Sequence, residues 1–365
     1  MKTKLASWTR AHFAVDMSCF YIFYKGVDSL YHANEDSLPI LGLAVLTYNC
    51  LAFGLQMVIG SIADKHPSVE KAIGKVGLAF MVIPLALIWI SQSEVVSWIS
   101  LILCALLNAS FHVGGGMDVL KESHGKVAPS GIFVSSGALG VITGTLYGQS
   151  EHNALLPIGI VILSSILLFL SASRPPVVSK NEEQQVSTIK LTKLGIGAVC
   201  ACLFIAVLIR SFAGFIWPIK VQLTGLLVLL PSVSSCLGKA FGGIIADKLG
   251  ALETAALALV LSMVLLFVSN GSWLLTGMSI LFFNMAMPIT LCGLAAAMPD
   301  NYGFAFGLST FALLLGYVAY YPLAINGFSN RYTIITITIL GLAAILLIAL
   351  SLKTKKSIHH VGKHL

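Results

Sequence analysis

Apolar stretches about twenty residues long recur from one end of this chain to the other, each parted from the next by a short polar break. A stretch of that length crosses the hydrocarbon core of a bilayer as an α-helix. The runs fall at 8–30, 38–62, 73–91, 95–118, 127–149 and 153–172, then at 194–217, 221–246, 252–269, 272–298, 302–321 and 331–352. Charged residues make up only 10% of the chain and apolar residues 57%, against about 25% charged in a soluble domain. So little polar surface cannot be solvated by water. The expected fold is an all-α integral membrane protein with twelve transmembrane helices.

The stretch "SRPPVVSKNEEQQVSTIKLTK" separates the sixth run from the seventh. Its prolines, Pro175 and Pro176, and its charge cluster read as a linker. The expected organisation is a six-helix half at 1–172, a cytoplasmic linker at 173–193, a second six-helix half at 194–352 and a basic tail at 353–365. Seventeen of the 22 lysines and arginines fall on the side that holds both termini. Only Lys25, Lys220 and Arg331 fall on the other side, and Arg210 and Lys239 lie within runs. The positive-inside rule then places a multi-pass protein in the cytoplasmic membrane with both termini cytoplasmic. The net charge of +7 belongs to that lipid-facing side and implies no nucleic-acid partner. His12 and Asp16 interrupt the first run and no small-residue cleavage site follows, so it is read as a retained span.

The seven cysteines all lie in apolar runs without a CxxC pair, as small apolar fillers. No HExxH or Ser/His/Asp spacing occurs. No enzyme activity, cofactor or metal is expected. The expected partners are a small solute, a proton and the lipid bilayer, with the chain as a monomer.

One short motif is written twice. "GSIADK" at 60–65 closes the second run, and "GIIADK" at 243–248 closes the eighth, 183 residues later. Independently, Asn108, Gly131 and Gly140 recur as Asn284, Gly307 and Gly316 at a constant offset of 176. The chain is a duplicated six-helix unit. Every third run (3, 6, 9 and 12) is almost free of ionisable residues. The others hold His12, Asp16, Asn49, Gln56, Asn108, His112, Arg210, Lys239 and Asn284. Charge is costly against lipid and tolerated along a cavity, so every third helix should be peripheral.

In these features the chain resembles the major facilitator superfamily over nearly its whole length. That family carries a Gly-x-x-x-Asp-Arg/Lys motif between spans 2 and 3, often echoed between spans 8 and 9. Gly60 and Asp64 match it, as do Gly243 and Asp247. The resemblance implies a latch: glycine lets two helices approach, and the aspartate caps a facing helix N-terminus in one state and leaves it in the other. His66 and Pro67 depart from the pattern, which implies a weaker first copy. "AHFAVD" (11–16) and "FHVGGG" (111–116) resemble elements of the fosmidomycin-resistance type of efflux transporter, with Val113 in place of a proline. This implies secondary active transport by alternating access, with efflux of a drug or metabolite against protons. An importer of a small organic anion and a non-transporting membrane sensor are the other two readings.

His12 and Asp16 are one turn apart and share a helix face. At 1.5 Å per residue, Asp16 lies about 12 Å, His12 about 6 Å and His112 about 9 Å into the membrane. An ionisable trio at such depth is a proton-coupling candidate. Asn49, Phe53, Gln56 and Gly60 form one stripe. Lys239, the repeat mate of Gln56, either faces the cavity or snorkels to the surface. Arg210 either binds an anionic substrate group or pairs with a carboxylate such as Asp28. With Asn49, Gln56, Asn108 and Asn284, these two cations make up the expected cavity set. Gly131, Gly140, Gly144 and Gly148 resemble the superfamily's antiporter motif, and small-residue packing explains them nearly as well.

Overall fold

The computed structural model describes residues 2–31, 37–150, 152–172, 195–217 and 221–325, with 335–336, 339–344 and 347 beyond them. Helices and their connections account for all of these, and no strand occurs among them. In hydrocarbon a helix is the one local structure that satisfies its own backbone groups. The linker 173–193, the tail 353–365 and most of the twelfth run lie outside the described residues.

α1 covers Lys2–Ile22 and continues through π-helical turns at Phe23–Asp28 to a last turn at Ser29–Tyr31. α2 (Leu38–Asn49) passes through a second π-helical stretch, Cys50–Gly54, into α3 (Gln56–Lys65). α4 (Pro67–Phe80) and α5 (Val82–Ile90) follow as one span bent at Met81. α6 (Glu94–Glu122), α7 (Ala128–Gly148) and α8 (Leu155–Ala172) come next. Then come α9 (Ile196–Phe215), α10 (Leu230–Leu249), α11 (Ala251–Val268), α12 (Trp273–Ala297) and α13 (Tyr302–Ile325). Nine spans among the described residues are long and apolar enough to cross a membrane, and Leu155–Ser171 is a shorter apolar helix. α1 is not among the nine; it carries Lys4, Arg10, His12 and Asp16.

The chain divides into two compact units. The first comprises Met1–Glu122, Phe133–Glu183 and Asn301–Gly307. The second comprises Ser123–Ile132, Gln184–Asp300 and Leu308–Leu365. In the first unit α6 is the buried centre, enclosing Asn108, Phe111, His112 and Met117. Its repeat mate α12 is the buried centre of the second, enclosing Phe283, Asn284 and Ile289. The helices of runs 3, 6 and 9 carry bare apolar side chains, with Ile90 79% exposed, Phe169 68% and Phe267 74%, and the helices of runs 2 and 8 do so too, at Val58 and Leu249. Such faces are built for acyl chains.

Where α1 begins, Lys4 Nζ reaches Asp118 at 2.8 Å and Glu122 at 2.5 Å on the last turns of α6. Trp8 Nε1 donates to the other oxygen of Asp118 at 2.5 Å. Burial alone would lower Lys4, but the hydrogen bonds and charges of Asp118 and Glu122 hold its ammonium above the ordinary lysine value.

The two copies of the repeated motif reverse the chain by different means. After Lys65, His66 is extended (φ −126°, ψ 96°) and Pro67 opens α4 at its first position. Proline forces the residue before it out of the helical region and fits a helix start. After Leu249 the same reversal is made by Gly250 alone, at φ +102° and ψ 139°. That backbone is open only to glycine. Gly250→Ala should therefore cost about 1–2 kcal/mol and lower the melting temperature of the purified protein. Gly197→Ala, where an added methyl meets nothing within 4 Å, serves as the control and should leave it unchanged or slightly raised.

Candidate functional site

The first unit holds a buried cluster of ionisable groups. α1 supplies His12 and Asp16, and α6 supplies Asn108 and His112. His12 Nε2 lies 3.2 Å from Asp16 Oδ2, and His112 Nε2 lies 3.7 Å from Asp16 Oδ1. The two imidazoles meet through their Nε2 atoms at 2.9 Å, with their rings edge to face. His12 is 4% exposed and His112 8%.

The opposite ring nitrogens constrain the tautomer. His12 Nδ1 faces the Phe133 carbonyl at 2.8 Å, and His112 Nδ1 faces the Asn108 carbonyl at 3.0 Å. A carbonyl oxygen can only accept, so each Nδ1 must donate. In two neutral rings both Nε2 atoms would then be bare lone pairs pointed at each other beside a carboxylate. Such a contact at 2.9 Å is repulsive unless a cation lies in it. The trio thus brings two imidazole nitrogens and a carboxylate together. Its donor atoms all lie within 4.8 Å of one another, a spacing that suits a shared proton or a single transition-metal ion.

Neighbours hold the trio in place. Asn108 Nδ2 lies 3.4 Å from Asp16 Oδ1 and 3.2 Å from the Tyr48 hydroxyl on α2. Phe111 and Phe133 pack against the His12 ring. Over the cluster lies Gly137 of α7, where a Cβ would collide with Asp16 Oδ2 and His12 Nε2. The sequence reading missed Gly137. Its signal was available: it stands seven residues before Gly144 and so shares its face. Gly140, Gly144 and Gly148 continue this contact against the backbone of Phe13, Met17 and Tyr21. Gly131 faces elsewhere, onto the Lys239 carbonyl and Gly243.

Both repeated aspartates lie at helix N-termini. In the first unit, Gly303 and Phe304 at the start of α13 donate their backbone N–H groups to the two oxygens of Asp64, both at 2.8 Å. In the second, Val127 and Ala128 at the start of α7 donate to Asp247 at 2.7 and 3.0 Å. The first four N–H groups of a helix have no partner within it, and its positive dipole end favours an anion. Gly60 and Gly303 meet backbone to backbone, and Gly243 lies against Val127 and Ala128. The departure at His66 and Pro67 leaves the geometry of the first copy intact. Asp64 is in fact less exposed than Asp247.

The remaining predicted residues are dispersed. Asn49 and Gln56 bond back to the carbonyls of Val45 and Ala52 on their own helices. Gln56 Oε1 is buried without a partner, next to the close approach of Gly307. In the second unit, Asn284 bonds back to Ile280 and accepts from Ser235 at 3.0 Å. Unlike its repeat mate Asn108, it serves no ionisable group among its hydrogen-bond partners. Lys239 is partly exposed. Arg210 is 5% exposed, with its guanidinium 5.6 Å above the Phe283 ring. No carboxylate pairs with it among the described residues.

No protein-family model and no curated protein matches the chain. Solved structures do match it. The major facilitator superfamily transporter FucP, in its outward conformation, aligns with a TM-score of 0.61 at 14% identity, over 93% of this chain and 98% of that one. A variant of the E. coli fucose:proton symporter FucP aligns over the same shares with a TM-score of 0.62, again at 14% identity. A bacterial homologue of the iron transporter ferroportin, outward-facing, aligns with a TM-score of 0.64 at 12% identity, over 95% and 99%. Likeness at such low identity shows a common architecture. The chain is a multi-pass, all-helical membrane protein with the fold of major facilitator superfamily transporters.

Proposed function

We propose that this protein is a proton-coupled secondary transporter in which His12, Asp16 and His112 carry the coupling proton. The observation that carries this reading is the 2.9 Å contact between two histidines whose other nitrogens are tied to carbonyls. One added proton turns the lone-pair clash into an N–H···N bond. It also makes the trio neutral, as one imidazolium, one imidazole and one carboxylate. Loss of the proton leaves an uncompensated carboxylate in a nearly dry site. That state requires water or a rearrangement of α1 against α6, so occupancy and conformation are linked. A fucose:proton symporter among the fold neighbours supports protons as a coupling ion in this architecture.

In this reading the halves 1–172 and 194–352 rock about a central cavity in the cytoplasmic membrane, with both termini cytoplasmic and the chain acting as a monomer. The resemblance of "AHFAVD" and "FHVGGG" to fosmidomycin-resistance transporters favours export of a drug or metabolite in exchange for protons. Each repeated aspartate joins its own half of the sequence to a helix of the other half. Two charge-assisted bonds at a helix start amount to about 1–2 kcal/mol, enough to bias a two-state equilibrium about tenfold. Asp64 and Asp247 therefore act as latches, made in one state and broken in the other, with Gly60 and Gly243 setting the approach.

Two outcomes test this. In proteoliposomes, Asp16→Asn should abolish solute accumulation driven by a pH gradient while solute exchange between equal pools persists. His12→Gln and His112→Gln should shift the pH dependence of transport, measured after exhaustive chelation so that metal release is not read as proton release. A wild-type protein indifferent to the gradient would remove the coupling role. Separately, Asp64→Asn and Asp247→Asn should each slow transport about tenfold with normal membrane insertion. Wild-type flux in both single variants and in the double variant would show that the contacts are only structural.

A further inference from the structure

The second unit contains a second polar site that proton coupling does not use. Arg210, Gly214 and Trp217 follow one another at intervals of four and three residues at the end of α9, and so share a face. All three face Phe283 of α12. The guanidinium lies 5.6 Å over its ring, and the indole centroid lies 4.6 Å from it at 45°. A Cβ on Gly214 would reach the ring edge at 3.5 Å. Gly214 itself is exposed.

Two hydrogen-bond donors in this stripe have nothing to donate to. Arg210 Nε and Trp217 Nε1 are both fully enclosed and without a partner. The guanidinium makes neither a hydrogen bond nor an ion pair with any described residue. A charge in a membrane span normally pairs with another group or serves a ligand path. The aromatic face compensates the charge only in part. A guanidinium and an indole N–H that both pack on the Phe283 ring, with no acceptor among the described residues, are half of a charge-assisted contact, and its missing half is an anion.

We propose that Arg210 and Trp217, held against Phe283, bind the carboxylate of a small organic acid, and that this acid is the transported solute. The proposal rests on the transporter reading and deepens it by naming a substrate class. The planar fork of Arg210 accepts a planar carboxylate through two parallel N–H bonds. Trp217 supplies a further donor, and the ring of Phe283 gives the apolar body of the acid a surface. One guanidinium balances one negative charge. A phosphate dianion would leave a net charge buried, which favours the carboxylate.

The test is binding to the full chain purified in detergent, with acetate, benzoate and inorganic phosphate as probes and tetraethylammonium as a cationic control. Benzoate and acetate should raise the melting temperature in a concentration-dependent way, and calorimetry should give a matching affinity. Arg210→Lys keeps the charge and loses the fork, and should weaken binding about tenfold. Trp217→Phe keeps the ring and loses the N–H, and should weaken it several-fold. Arg210→Met should abolish it in protein that remains monodisperse. If no probe stabilises the wild type, or if Arg210→Met and Trp217→Phe bind benzoate as the wild type does, the site is structural and the proposal fails. Stabilisation by phosphate alone would overturn the carboxylate assignment. Flux separates this from the transporter reading. Anion binding without flux in proteoliposomes would refute transport and leave the site standing. Flux of an uncharged solute unaffected by Arg210→Met would do the reverse.

Discussion

A polar atom in hydrocarbon has no water to turn to, and the structure of this protein follows from that constraint. An unsatisfied polar group there costs several kcal/mol. The cheapest remedy is local: a short polar side chain bonds back to a carbonyl about one turn earlier. Ser18 does this to Ala14, Asn49 to Val45, Gln56 to Ala52, Asn284 to Ile280 and Thr290 to Ala286. Each of these residues satisfies at least one polar group within its own helix, although Gln56 Oε1 stays unpartnered and Asn284 also accepts from Ser235. Helix, π-helical turn and glycine crossing are the remaining means by which the backbone meets the same constraint.

Ionisable groups cannot be neutralised so cheaply, and they mark where the structure departs from simple packing. Asp16 meets His12 one turn back on its own helix, and His112 and Asn108 from another helix. The carbonyls of Phe133 and Asn108 favour, in both rings, the tautomer with its proton on Nδ1. Arg210 is the converse case: its Nε, like the Trp217 indole N–H against the same ring, has no acceptor among the described residues. The duplication produced two halves of like architecture, and the two halves carry sites of opposite electrical character.

The aspartates of the repeated motif solve a different problem with the same means. Helix N-termini carry unpaired N–H groups, and a carboxylate from elsewhere in the sequence supplies the acceptors. The glycines beneath them, Gly60 against Gly303 and Gly243 against Ala128, remove the side chains that would hold the backbones apart. Each contact consists of two hydrogen bonds to backbone N–H groups at a helix start.

Much of this was legible in the sequence. Run length and charge poverty determined the helices, because bilayer thickness admits few alternatives. The double motif and the constant offset of 176 determined the duplication. The scarcity of ionisable residues in runs 3, 6 and 9 did not by itself single out the most exposed helices: Ile90, Phe169 and Phe267 are bare, but so are Val58 and Leu249 on the helices of runs 2 and 8. Helical spacing alone put His12 and Asp16 on one face. Periodicity along one helix says nothing about which atoms of another helix it meets. The meeting of His12 with His112 Nε2 to Nε2, the cover of Gly137 and the shared ring of Arg210 and Trp217 were decided by side-chain packing between segments far apart in the chain. Hydropathy is a property of single helices. Proton sharing and ion pairing depend on distances between helices, and those exist only in the folded protein.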